Sequence, residues 1–191
     1  MSVYMRFLCV LLVLFTSACS TYVPADKNNL CSIFKGNKDW YDSAVSVYKE
    51  RGVPINTIMA FINQESSYIH DAKPPMRWFL FIPYGRGSSS YGYSQAQDPV
   101  WDDYKKETDR IFVSRDDFED SLDFISWYML KTTKINKVPL SNVYLQYLNY
   151  HEGWGGYKRG SYNNNSALKS VAKKVERQSN LYKQQLKDCR L

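Results

Sequence analysis

The sequence predicts a mostly α domain, and three observations carry that expectation. Apolar residues recur at helical spacing in six separate stretches, Pro, Gly, Asn and Asp gather between those stretches, and no region is rich in strand-type alternation. A small β-hairpin near residues 78–93 is the one strand element the pattern allows. At 191 residues and 44% hydrophobic content, the chain is long enough for one domain with a substantial core. It shows no internal repeat and no low-complexity tract.

The first helix is expected from Lys38 or Asp39 to about Arg51, with Trp40, Ala44, Val47 and Tyr48 inward and Gly52 as its stop. The second starts at Pro54, which tolerates a first-turn position because its missing N–H has no intrahelical partner there. Ile55, Ile58, Met59 and Ile62 share one stripe of it, and Glu65 continues that stripe at the next step. An apolar face that ends in an acid has an electrostatic consequence. The negative end of the helix dipole and apolar surroundings both push the Glu65 pKa upward. A carboxylic acid that keeps its proton near neutral pH can protonate a leaving oxygen. The competing reading is a solvated Glu at a fraying helix end.

Residues 71–90 are the least regular stretch, with Pro74, Pro75, Pro83, Gly85 and Gly87 around the run Trp78-Phe79-Leu80-Phe81-Ile82. Long ordered loops in compact domains are usually functional, and sugar rings stack on aromatic faces. Phe79, Phe81 and Ile82 are expected to plug the core beneath the loop, while Trp78, Tyr84 and Arg86 are candidates for the wall of a binding groove. Further on, Asp98 and Pro99 open a helix through Trp101 and Tyr104 towards Thr108. Ser114 opens another, with Phe118, Leu122, Ile125, Tyr128 and Met129 inward to about Lys134. Ser141 caps a third, carrying Tyr144, Tyr147, Leu148 and His151, with Gly153 as its stop and a flexible aromatic and basic loop after it. Ser166 opens the last, with Leu168, Val171, Val175, Tyr182 and Leu186 on one side.

Three motifs now stand in order: Glu65-Ser66-Ser67-Tyr68, Tyr91-Gly92-Tyr93-Ser94-Gln95-Ala96, and Asn149-Tyr150-His151-Glu152-Gly153. Together they resemble the signature of the lytic transglycosylase SLT domain, a goose-type-lysozyme-like fold, over about residues 40–185. In that family a Glu-Ser pair ends a buried helix, a Gly-Leu-Met-Gln stretch follows, and an Ala-Tyr-Asn-Ala-Gly stretch comes later. Gly92, Gln95, Tyr150 and Gly153 fit. Tyr93 and Ser94 replace two apolar residues, and His151 stands where the family has Asn. The resemblance implies a mostly α, lysozyme-like domain with long loops that cleaves the β-1,4 bond between N-acetylmuramic acid and N-acetylglucosamine, leaving 1,6-anhydro ends.

In that reading Glu65 is the catalytic residue, acid first and base second, and Tyr150 lies against it, its phenol able to donate to the carboxylate. Ser66, Gln95, Tyr93 and His151, with the wall candidate Tyr84 from the 71–90 stretch, complete the substrate-binding set. Gly92 would allow a close backbone approach to ligand or to the catalytic helix, and Gln95 brings an amide that both donates and accepts. Two alternatives stay open. One is a lysozyme-type hydrolase of the same bond, which needs a base such as Glu152. The other is a catalytically silent peptidoglycan-binding scaffold in an envelope complex.

Residues 1–18 read as an export signal: Arg6, an apolar run from Phe7 to Phe15, then Thr16-Ser17-Ala18 before Cys19. The run is too short for a permanent membrane span. It resembles a bacterial lipoprotein signal, which implies lipidation of Cys19, membrane attachment through that lipid, and a periplasmic protein anchored to the outer membrane. Thr16 departs from the usual Leu of such signals, and ordinary cleavage leaving a free Cys19 thiol is the alternative. Residues 19–30 read as a tether and 31–191 as the domain. Of four cysteines, Cys9 leaves with the signal and Cys19 would carry the lipid, so Cys31 and Cys189 remain as either a disulfide across the termini or two separate thiols. No ligand spacing suggests a metal, and no cofactor is implied. The formal charge of +6 is spread along the chain, which suits an anionic polymer such as peptidoglycan. Nucleic acid is a poor partner for an exported chain without a basic stripe.

Overall fold

The computed structural model describes residues 21–190. Within them lie seven helices and one two-stranded antiparallel sheet, so the fold is mostly α and lysozyme-like. The helices are α1 (Leu30–Gly36), α2 (Lys38–Arg51), α3 (Ile55–Ser66), α4 (Asp98–Thr108), α5 (Phe118–Asn136), α6 (Val143–Arg159) and α7 (Ser166–Asp188). Strands β1 (Met76–Phe79) and β2 (Ile82–Arg86) form the hairpin. The export signal and Cys19 lie outside the described residues.

Local chemistry sets the helix ends. Asn29, Asn37, Asp117, Asn142 and Asn165 each accept a hydrogen bond from a backbone N–H of the first turn, the groups a helix cannot satisfy internally. The caps of α5 and α6 therefore fall a residue or more beyond Ser114 and Ser141. Helix α1 has no counterpart in the periodicity, being only seven residues long. Gly153 does not stop α6. It kinks the helix with φ 71° and ψ 158°, and the chain continues to Arg159, where Gly160 ends it in the left-handed region.

Helix α3 is the axis of the domain. Ile58, Met59, Ala60, Phe61 and Ile62 are all buried, so it is apolar around its circumference rather than along one stripe. It packs on α7, and α7 packs on α6, while α2 lies on α5. Tyr48, expected inward on α2, is exposed. The α2 side closes with aromatic rings: Trp40 stacks on Phe118 at 4.0 Å and meets Tyr68 and Tyr93 at 5.7 Å each.

Residues 21–30, read from sequence as part of a tether, lie against this body. Tyr22 donates to the Ile33 carbonyl at 3.1 Å and packs edge-on against Trp40. The Gln185 side chain accepts from the Leu30 N–H at 2.8 Å and donates to the Asn28 carbonyl at 3.0 Å. Cys31 and Cys189 are joined as a disulfide beside this seam, stapling α1 to the end of α7.

The hairpin departs most from expectation. Phe79, Phe81 and Ile82 do not plug the core: every residue of both strands is exposed, and so is Phe81 in the turn between them.

Candidate active site

Glu65 occupies the last turn of α3, and the chain reverses directly after it. Ser67 and Tyr68 both adopt positive φ, at 53° and 64°. Non-glycine residues accept such angles only when their surroundings hold them. Here Tyr68 is the anchor: it is fully buried, and its hydroxyl donates to the Met59 carbonyl at 3.0 Å.

One helical turn before Glu65, Phe61 meets Tyr147 and Tyr150 of α6 edge-on, each at 5.3 Å. Residues four apart share a helix face, so Glu65 emerges beside the same two tyrosines. Burial in this aromatic setting pushes its pKa up to about 7, and a hydrogen bond from the Tyr147 phenol offsets part of the rise. The Glu65 charge in turn raises the pKa of both phenols beyond what their burial does. Desolvation is the larger of the two effects, so it governs the direction of the shift.

Tyr150 donates to the Ser94 carbonyl at 2.6 Å rather than to Glu65. The phenol that bonds Glu65 is Tyr147, three residues earlier on the same face, which sequence reasoning placed only on the packing stripe. Tyr150 instead ties α6 to the 91–96 loop, whose conformation depends on Gly92. At φ 74°, Gly92 comes so near Arg115 that a Cβ atom there would lie 1.9 Å from the Arg115 carbonyl oxygen. The close backbone approach at Gly92 is therefore to the loop before α5 rather than to α3.

Gln95 follows at φ 52°. Its amide donates to the Ala72 carbonyl at 2.8 Å and to the Gly92 carbonyl at 2.9 Å. Both amide hydrogens are thus taken, and the group it can still offer is its carbonyl oxygen. Gln95, Tyr150, His151, Glu152, Tyr128 and Trp154 line a cavity of about 300 Å³, at the lower end of the usual range for ligand sites. Glu65 does not line it; Tyr150 does, while also sensing the Glu65 charge.

Trp154 and Tyr128 stack at 4.4 Å on one wall, an aromatic platform of the kind a sugar ring can use. Among the described residues, Glu152 is the only carboxylate in the lining. Hydrogen bonds from Ser161 and from His151 hold it below the usual carboxylate range.

The other expected residues lie elsewhere. Ser66 is buried, and its hydroxyl donates to the Ile62 carbonyl of its own helix at 3.2 Å. Tyr93 is buried between Trp40 and Phe118, where it packs. Tyr84 stands on the exposed hairpin, and neither it nor Trp78 lines the cavity. Among the described residues, no cluster of three His, Cys, Asp or Glu could hold a metal ion. None of their helices is long and apolar enough to cross a membrane.

A helical domain that holds a half-buried carboxyl with a raised pKa beside an aromatic-walled cavity belongs to the lysozyme-like class. The family model described as "Transglycosylase SLT domain" matches residues 7–189, and the chain belongs to that family. No curated protein and no solved structure matches the chain.

Proposed function

We propose that the chain is a peptidoglycan lytic transglycosylase with Glu65 as general acid and then base. The observation that carries this reading is the desolvated Glu65 carboxyl, which near neutral pH populates both its protonated and ionised forms. Membership of the SLT family supports peptidoglycan as the substrate polymer. In the proposed reaction the Glu65 carboxyl gives its proton to the glycosidic oxygen as the bond to the muramoyl anomeric carbon breaks. The substrate's N-acetyl group stabilises the positive charge that develops there. The muramoyl 6-hydroxyl then attacks the anomeric carbon, and the Glu65 carboxylate takes its proton, closing the 1,6-anhydro ring and restoring the acid. Gln95 and the Trp154–Tyr128 wall position the sugar, and Tyr147 orients the carboxyl.

A lysozyme-type hydrolase is the second reading, favoured by Glu152, an ionised carboxylate in the cavity lining that can activate water. Product analysis separates the two. Digested sacculi examined by mass spectrometry should carry 1,6-anhydro ends with the wild type and none with Glu65→Gln. Reducing ends in place of anhydro ends would establish hydrolysis, and equal cleavage by Glu65→Gln would remove Glu65 from the chemistry. Lipidation at Cys19 and outer-membrane anchoring belong to the same reading; palmitate labelling of wild type and Cys19→Ser in cells tests them.

A further inference from the structure

We infer that the β1–β2 hairpin is a lipid-binding wedge that inserts its tip into the interface of an anionic bilayer, independently of the Glu65 site. Buried area is what normally stabilises such a run of large apolar side chains, yet Leu80 is 78% exposed and Phe81 93%. The strands pair with each other, and no residue in them is buried.

Two features favour a bilayer over a protein groove. Side chains alternate across a strand, so Trp78, Phe79 and Ile82 project to both faces of the hairpin. A protein partner seats one face of a strand pair, whereas a fluid lipid phase can surround both. Polarity is also graded along the long axis by the strand register. Leu80 and Phe81 form the turn, Phe79 pairs with Ile82 behind it, Trp78 with Pro83 next, and Arg77 with Gly85 and Met76 with Arg86 at the base. An apolar tip, then an indole, then guanidinium groups is the order that acyl chains, headgroup boundary and phosphates would meet.

Charge agrees with that placement. Between Asp71 and Asp98 the chain carries Lys73, Arg77 and Arg86 and no acidic residue. Arg86 also donates to the Pro74 carbonyl, which fixes the base of the hairpin. Juxtamembrane cations of this kind favour anionic lipid. The outer edges of the two strands have unpaired backbone groups, which cannot enter the hydrocarbon core, so insertion stops at the turn and the residues next to it.

The test uses the full chain carrying Cys19→Ser, so that no acyl chain contributes, and vesicles of phosphatidylcholine with or without phosphatidylglycerol. Co-sedimentation should be stronger with phosphatidylglycerol, and Leu80→Asp with Phe81→Asp should lower the partition coefficient roughly tenfold or more. Arg77→Glu should lower it on the anionic vesicles alone. Binding should shift tryptophan emission to shorter wavelength in this chain, and much less when Trp78→Phe is added. Circular dichroism and thermal melting must show each variant folded, and the exposed positions give no reason for it not to be. Glu65→Gln should bind vesicles as the parent does, which separates this inference from the proposed chemistry. Failure of the Cys19→Ser chain to bind, equal binding by the tip variant, or hairpin-dependent dimerisation without lipid binding would each overturn it.

Discussion

The Tyr150 hydroxyl donates to the Ser94 carbonyl at 2.6 Å, joining the helix that borders Glu65 to the loop that carries Gln95. This bond makes two distant motifs one unit, because Tyr150 lines the cavity and also packs on Phe61, a turn before Glu65. Tyr150→Phe should keep the ring packing and lose the bond, at about 1 kcal/mol of stability in urea unfolding. Sacculus-digestion kinetics should show KM rising more than kcat falls, since Gln95 is loosened while Glu65 keeps Tyr147.

Glu65 gives the protein a pH signature of definite sign. Its pKa is about 7 in the folded chain against an ordinary 4.5, so the folded state holds a proton that the unfolded chain releases. Stability should therefore fall as pH rises from about 4.5 to 7 and level off above that. Glu65→Gln should abolish that slope and leave the variant more stable at pH 8 by on the order of 2 kcal/mol, allowing for partial solvent access. Melting temperatures of both proteins across this range check it. For the wild type, kcat/KM should fall about tenfold per pH unit above 7 as the acid form disappears.

Asp123 joins α2, α4 and α5 through a charged hydrogen-bond cluster that does not line the cavity. Fully buried, it accepts from Arg51 at 2.7 and 2.9 Å and from the Tyr104 hydroxyl at 2.7 Å. Asp123→Ala leaves Arg51 only Glu50 at 3.6 Å and takes the acceptor from the buried Tyr104 hydroxyl, and should cost about 3 kcal/mol, read as a lower urea midpoint.

Reduction of the Cys31–Cys189 disulfide frees a loop whose ends are 158 residues apart in sequence. On the chain-entropy account this removes about 4–5 kcal/mol. Thermal melts with and without reductant should differ accordingly, and Cys31→Ala should match the reduced wild type.

Much of the fold was legible in the sequence because helix periodicity and capping residues act locally. Lys38–Arg51 and the helix beginning at Ser166 follow directly from such signals. Short range was also the limit. Seven residues are too few for α1 to show a period, and Leu30 is fixed by Gln185, distant in sequence. Gly153 reads as a stop because glycine usually is one, yet the chain resumes its helix beyond the kink. Apolar composition marked Phe79 and Phe81 as core, since nothing in the letters tells a buried ring from one held out.

The site was legible to a different degree. The end of a greasy helix gave Glu65 its place and the direction of its pKa, and burial is the leading cause of the shift. Tyr147 and Tyr150 lie three residues apart on one face, so spacing alone could not assign which phenol reaches the acid. Ser66 and Tyr93 came with the motifs, but both serve packing or backbone bonds.

Gly92 bears on how such chains are found and classified. With the Arg115 carbonyl oxygen against it, no methyl group can be tolerated, whether or not a neighbouring acid does any work. A glycine retained at that point in a distant relative would certify the way two loops nest, and would say nothing about whether a glycan is ever cut.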